Sequence, residues 1–554
     1  MRSLESPSSV IRAKAFLVLL QGLCSNRDML LLCCNSRMVM YIERDIRKAT
    51  PGKELQSSNE YLSKCLDLLI RHVVLELPAI LDDMLSVLGS IVGRKHPSTV
   101  QAKQLKQSVP MMTVVLHLLT SQIFRPQVVT EEFLFKFGAL LNHITSIDAS
   151  ETSLGSAIGQ AGSEELIRNT LSAVEAISQH PALLTPHHCT VVDCILPPLT
   201  SLAFSKNVEW RIVSLRVLSE ITLLLLSQEA VEEGERKEEE RREGGRRRER
   251  ECNSSTGRLL TLITEALLPQ YESLLLEPDP IPVYALKLLV ALTEHSTPVN
   301  RLVRDSRILP VVFQVMAEHQ DNILGGTMQN AMALLSNLTG QKDVDLQPFY
   351  QQGLVEVVCS VFSEAAVLYV ERERRGLRGR VAHVLLLSLL DTLHNVLKST
   401  SSVVRLALQA QRAESQGETQ AAEELLLINK PLTELTSLLI QMLPCGDVEV
   451  YEETSQCLSL LMQLYGGDSP DSLSPLNLQS LSHALQLQTQ PKQHRLLLRI
   501  IKRLIPATTD SLWCGSAEGQ ELVHVLQRLS HSARSHADVA VVSLAAEILT
   551  GIGF

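Results

Sequence analysis

The sequence predicts an all-α fold, an armadillo/HEAT-like helical repeat superhelix (α-solenoid), and three observations carry that expectation. A polar break followed by an apolar helix recurs through Val403, Val448, His494 and Val539, at intervals of 45, 46 and 45 residues. That spacing falls in the roughly 40–47-residue period of HEAT and armadillo arrays. Hydrophobic residues make up 45% of the 554 and aromatic residues only 4%, a balance that suits helices burying aliphatic stripes better than sheets. A Leu-rich helical phrase with one internal Asn also recurs, around Asn142, Asn337 and Asn395.

The elements follow in chain order. Ser8-Ser9-Val10-Ile11-Arg12-Ala13 opens the first repeat helix, the serines acting as its cap. Ala139-Leu140-Leu141-Asn142-His143-Ile144 is the first Asn-bearing helix. Val191 to Phe204 reads as a helix that ends at Ser205-Lys206-Asn207, where Val208-Glu209-Trp210-Arg211-Ile212 starts the next. Such a short break joins two antiparallel helices. Pro280-Ile281-Pro282-Val283 starts another, and Ala333-Leu334-Leu335-Ser336-Asn337-Leu338 and Thr392-Leu393-His394-Asn395-Val396-Leu397 repeat the Asn phrase. Ser401-Ser402 is expected to end one helix and cap a second that begins at Val403. Leu435 to Leu443, the break Pro444-Cys445-Gly446 and the helix from Val448 form a further hairpin. In the helix from Val539, Val542, Ala546 and Leu549 share a face with Val539, while Val541, Leu544 and Ile548 fill a second. Burial on both faces is the expectation there.

One segment breaks the pattern. From Glu232 to Glu251 every residue is Glu, Arg, Lys or Gly, nine acidic and eight basic. It holds nothing to anchor a core, so a solvated insert is expected. The domain reading is therefore N-terminal repeats over residues 1–228, a charged low-complexity disordered insert over 229–256, and C-terminal repeats over 257–554. These amount to about five and about six repeats.

Composition narrows the chemistry. A formal charge of −10 disfavours nucleic acid, whose phosphates want a basic face. The eleven cysteines show no CxxC spacing and mostly sit in apolar helical text, which suits reduced thiols in a cytosolic or nuclear compartment. The apolar runs are too short to span a bilayer, and no secretory signal is legible, so membrane insertion is not expected. No phosphate loop, GxGxxG, GxSxG, HExxH or kinase signature is present. The nearest kinase-like string, Glu43-Arg44-Asp45, has Glu in place of His. His187-His188-Cys189 with Cys194 holds the right residue types for zinc but not the paired spacing of a structural site. The expectation is no catalytic residue, no metal and no cofactor.

Two features remain as partner-binding candidates. Asn142, Asn337 and Asn395 resemble the inner-helix Asn of armadillo repeats, which can bind the backbone of an extended peptide; the ordinary alternative is an Asn bonded to its own turn. Arg374, Arg375 and Arg378 belong to the dense basic stretch from Arg372 to Arg380, suited to an acidic or phosphate-bearing partner or simply to a solvated loop.

Specific strings add a resemblance. Val10-Ile11-Arg12-Ala13-Lys14-Ala15-Phe16-Leu17, Cys33-Cys34-Asn35-Ser36-Arg37, Tyr41-Ile42-Glu43-Arg44-Asp45, Val208-Glu209-Trp210-Arg211, Asn429-Lys430-Pro431-Leu432 and Ser535-His536-Ala537-Asp538-Val539-Ala540 are similar to the C-terminal armadillo/HEAT-type repeat region of a pseudokinase in the unc-51-like serine/threonine kinase family. The resemblance implies a non-catalytic protein-interaction scaffold, here without the family's kinase-like, ATP-binding domain. It further implies roles in microtubule organisation, cilia and neurite growth, a cytoskeletal or ciliary location, and a fused-type kinase and microtubule- or cilium-associated proteins as partners. The alternative is a regulatory region of a kinase-family protein whose activity or ATP binding resides in a missing N-terminal domain.

Overall fold

A computed structural model describes residues 2–48, 56–92, 94, 96–149, 154–240, 255–342, 344–375, 380–412, 417–467, 470–505, 512–531 and 539–554. Every regular element among them is helical, as the composition predicts. The helices fall into two compact units, Met1–Val299 and Asn300–Phe554.

The first unit begins with α1 (Ser9–Ser25), entered through Ser8, whose hydroxyl accepts from the Ile11 amide. α1 packs on the long α2 (Gln56–Ile91), and α2 packs in turn on α3 (Glu131–Ala149). Next come α4 (Gln160–Ser178), α5 (Val208–Glu240) and α6 (Ile281–Glu294), with α4 against α5 and α5 against α6. Asn207 caps α5, its Oδ1 accepting from the Trp210 amide at 3.2 Å. The α5 backbone runs on to Glu240, so the first residues of the charged tract continue that helix; residues 241–254 lie outside the described set.

The apolar stretch from Val191 contains one π-helical turn, Val191–Ile195, before the α-helical Leu196–Leu202. The cause is in the sequence. Pro197 and Pro198 have no N–H for the carbonyls of Asp193 and Cys194, so the ladder loses its ordinary register there. The same device recurs at Ile263–Leu267, just before Pro269.

In the second unit α7 (Gly326–Thr339) is followed by α8 (Leu354–Arg374), α9 (Arg380–Arg412), α10 (Thr436–Met442), α11 (Val448–Tyr465), α12 (Pro475–Leu487), α13 (Pro491–Leu504), α14 (Ala517–His531) and α15 (Val539–Gly551). They form two rows. One runs α7, α9, α11, α13, α15, and the other α8, α10, α12, α14, each helix packing on its row neighbour. Between the rows lies a largely aliphatic core: Leu385, Leu389 and Leu393 of α9 and Leu458 and Leu461 of α11 are wholly buried.

Two expectations are corrected. Ser401-Ser402 does not end a helix, because α9 runs unbroken from Arg380 to Arg412. Neither Pro nor Gly stands there to stop it, and the Thr400 hydroxyl folds back onto the Val396 carbonyl at 2.8 Å. The 45-residue step from Val403 to Val448 thus runs from mid-helix to a helix start. At Val448 the break is real: Asp447 caps α11 by accepting from the amides of Glu449 and Val450. The second correction concerns α15, which buries one face and not two. Val541, Ala545, Ile548 and Leu549 are buried against α13 and α14, whereas Val539 is 81% exposed. Both packing partners lie on one side, so the other side stays in solvent.

Candidate functional site

The row α7, α9, α11 sets the two Asn-bearing helices of this unit side by side. Asn395 of α9 is half-buried and points back at α7. Its Nδ2 donates to the Thr339 hydroxyl at 3.3 Å and reaches the Ser336 carbonyl at 3.5 Å. Thr339 itself is buried and donates to the Leu335 carbonyl at 2.8 Å. One turn before, Asp391 meets the Ser336 side chain, and its carboxyl is raised above the ordinary range by partial desolvation and by the Glu453 carboxylate, opposed by His394 and Ser336. His394 faces onward to α11, with Nδ1 3.0 Å from Glu453 Oε2. Ser336 and Thr339, then Asp391, His394 and Asn395, then Glu453 make a polar ladder across three repeats. The i, i+3, i+4 spacing of Asp391, His394 and Asn395 puts all three on one helix face.

The remaining candidates scatter. Asn337 is half-buried on α7, one residue from the ladder's Ser336. Asn142 is exposed on α3 of the first unit, where its carbonyl accepts from the hydroxyls of Thr145 and Ser146. Arg374 lies in the last turn of α8, and Arg375, exposed, closes that helix through its amide. Arg378 is outside the described residues.

Two buried asparagines escape the periodicity argument. Asn429 is wholly buried, and its Nδ2 donates to Tyr350 Oη at 3.1 Å, Thr400 Oγ1 at 3.0 Å and the Leu425 carbonyl at 3.1 Å. Asn477, equally buried, donates to Ser437 Oγ and to the carbonyls of Asp471 and Ser472, while its Oδ1 accepts from Ser437 and Gln441. Their local signals are an Asn at a helix end before Lys430-Pro431 and an Asn three residues into a helix capped by Ser474. Both amides clamp neighbouring elements together. The Asn477 amide is satisfied at both its nitrogen and its oxygen, whereas at Asn429 the Nδ2 alone carries the clamp and Oδ1 is buried without a partner.

Burial pushes the Cys34 thiol up to about 12 and Cys359 to about 11, and raises Cys457 well above its ordinary value. Thiols held protonated are poor nucleophiles and poor metal ligands. Among the described residues no group of three or more His, Cys, Asp or Glu side chains could hold a metal ion. Nor is any described helix long and apolar enough to cross a membrane.

Comparison with known proteins places these helices. Residues 76–301 match the family model described as "Serine/threonine-protein kinase ULK4-like, HEAT repeats". Over 544 residues, 98% of the chain, the sequence is 54% identical to mouse "Serine/threonine-protein kinase ULK4", of which it covers 40%. It is 26% identical over 300 residues, 52% of the chain, to "Serine/threonine-protein kinase RUNKEL" of Arabidopsis thaliana, covering 19% of that protein. The chain thus spans two fifths or less of the length of these relatives. A solved structure described by "A conserved phosphorylation switch controls the interaction between cadherin and beta-catenin in vitro and in vivo" aligns with all of this chain and 89% of that one, at 14% identity and a TM-score of 0.46.

Proposed function

The chain carries a HEAT-repeat region of the ULK4-like type, and from that premise we propose that it acts as a non-catalytic scaffold for protein–protein interaction. The observation that carries the reading is the side-by-side row α7, α9, α11, α13 and α15. Stacked repeats turn single helix faces into one extended surface, and binding then sums many modest contacts. Asp391, Lys398, Glu452 and Arg499 are exposed along this row. Asn337, Asn395, Asn142 and the arginines Arg374, Arg375 and Arg378 are proposed as contact positions, Asn395 sharing its amide with the ladder.

The resemblance supports a finer proposal: work in microtubule organisation, cilia and neurite growth, in the cytoplasm and at the cytoskeleton, with a fused-type kinase and microtubule- or cilium-associated proteins as partners. Proximity labelling with the chain in ciliated cells, followed by pull-down with purified protein, tests it. Recovery of such proteins by both routes is the expected outcome; background alone in both would overturn it.

A second reading draws on the extent of the similarity. Because the chain spans 40% of the mouse relative, it also suits a regulatory region acting on a kinase-like, ATP-binding domain elsewhere in the longer protein. Adding this chain in trans to the separately purified kinase-like portion of that relative, and measuring nucleotide affinity, separates the two. A change in affinity favours regulation.

A further inference from the structure

A groove of about 530 Å³ lies between α13 and α11, the same helix that carries the ladder's Glu453. Lys492, Arg495 and Arg499 of α13 line one wall. Their i, i+3, i+7 spacing puts all three on one face over two turns. Glu452 and Gln456 line the other wall, with Tyr451, 3% exposed, and Leu496 among the apolar lining. No ion pair among the described residues engages Lys492 or Arg499, both exposed. The next cation along the helix, Lys502, is by contrast held by Glu547 at 2.9 Å.

This positive charge is not background. The chain as a whole carries −10, yet α13 reads Pro491-Lys492-Gln493-His494-Arg495-Leu496-Leu497-Leu498-Arg499-Ile500-Ile501-Lys502-Arg503-Leu504, without one acidic residue. Lys492 stands in the first turn, at the positive end of the helix dipole, where a cation opposes helix stability. A concave wall that presents Lys492 and Arg499 outside any ion pair focuses attraction for carboxylates.

The geometry points to this groove as the docking site for an extended acidic segment of a partner protein. The inference rests on the scaffold reading and deepens it by naming the chemistry of the partner. Seven residues of helix advance about 10.5 Å, and an extended chain advances about 6.7 Å between side chains on the same side. A run of alternate Asp or Glu residues therefore puts carboxylates within reach of the long side chains of Lys492 and Arg499 at the two ends of that span. The carboxamides of Gln456 and Gln493, which also line the groove, can serve the peptide backbone. Glu452 on the facing wall repels a ligand that is anionic all round, such as a phosphate backbone, whereas an extended segment with alternate acidic residues turns its carboxylates to one side and its uncharged side chains toward Glu452; a flat lipid surface cannot enter a trough.

The test is fluorescence anisotropy on the full chain with a short labelled peptide alternating Glu and Ser. Its Gln/Ser counterpart, a single-stranded DNA oligonucleotide and phosphatidylserine vesicles serve as competitors. The Glu/Ser peptide is expected to bind, more weakly as salt rises, and the competitors to fail. K492Q/R499Q should weaken binding roughly tenfold, and the charge-retaining K492R/R499K should restore it. K103Q/K106Q removes as much charge from exposed positions on another helix and should change nothing. Equal binding of the Gln/Ser peptide, displacement by DNA or vesicles, or equal weakening by both Gln pairs would overturn the inference. If the acidic peptide does not bind while partner proteins are still recovered by labelling and pull-down, only the groove assignment falls; if neither occurs, the scaffold reading falls with it.

Discussion

Gly138 of α3 is seated directly on the backbone of Cys194: a Cβ built at Gly138 would stand 2.6 Å from the Cys194 carbonyl oxygen and 2.8 Å from its carbon. That carbonyl belongs to the π-helical turn and is one of those denied an α-helical donor by the proline pair. A glycine in the middle of a helix ordinarily weakens it. Here it allows two backbones to meet. Gly138→Ala should therefore destabilise the first unit by about 1–3 kcal/mol despite its better helix propensity, read as a lower urea midpoint by circular dichroism. An unchanged or higher midpoint would show that the contact relaxes freely.

Two buried tyrosines give opposite predictions. Tyr271 is wholly buried and its hydroxyl donates to the Ala285 carbonyl at 2.6 Å. Tyr271→Phe should cost about 1 kcal/mol. Tyr451 is 3% exposed, but its hydroxyl is buried with no partner. Removing it deletes an uncompensated polar group, so Tyr451→Phe should be neutral or mildly stabilising. Parallel thermal melts check both; equal losses would contradict the assignment.

Asn395→Ala removes the amide that ties α9 to α7 through Thr339 and should lower the stability of the second unit by about 1 kcal/mol. Asn337→Ala, two residues before Thr339 on α7, tests recognition against stability. If Asn337→Ala weakens partner capture with an unchanged melt while Asn395→Ala shifts the melt, the two asparagines divide the labour as proposed. Unchanged capture in both would remove them from the binding surface.

The pH dependence at Asp391 has a definite sign. Its folded-state carboxyl is raised by partial desolvation and Glu453, so the native state holds the proton more tightly than the unfolded chain does. Stability from this group is present at low pH and is lost as pH rises through the folded value. Asp391→Asn should therefore stabilise at neutral pH, and its advantage should shrink on acidification. Denaturant midpoints across pH 4 to 7 (roughly the carboxylate range) measure it, and an advantage that grew toward acid would reverse the argument.

Thiol labelling maps the packing. Cys24 and Cys189 are exposed, whereas Cys33, Cys34, Cys65, Cys457 and Cys514 are buried. A thiol reagent should modify the exposed pair first and reach Cys34 and Cys457 only on unfolding, since burial holds both thiols protonated. Rapid native labelling of Cys457 would mean that α11 opens locally.

Much of this was legible in the residues. Caps at Ser8, Asn207 and Asp447 announce helix starts because a short polar side chain satisfies amides the helix leaves open. Ser401-Ser402 looks similar but caps nothing, because a hydroxyl inside a helix can bond the carbonyl one turn back, as Thr400 does to Val396, and no Pro or Gly stands there to end the helix. The site was half legible. The repeated Asn phrase located α7 and α9, but not that Asn395 would spend its amide on the neighbouring repeat. Nor did it reveal Asn429 and Asn477, whose partners lie as far as 79 and 40 residues away in sequence.

By itself the sequence determined the helical class and the similarity to ULK4-like HEAT repeats, because these rest on local periodicity, composition and strings of identity. Only the tertiary structure decided which asparagines clamp repeats together, which face of α15 is buried, and that Lys492, Arg495 and Arg499 confront Glu452 across a groove. The reason is physical. Helix formation is governed by residues three and four apart, whereas a ladder or a groove exists only once the packing of repeats has fixed which helix faces which.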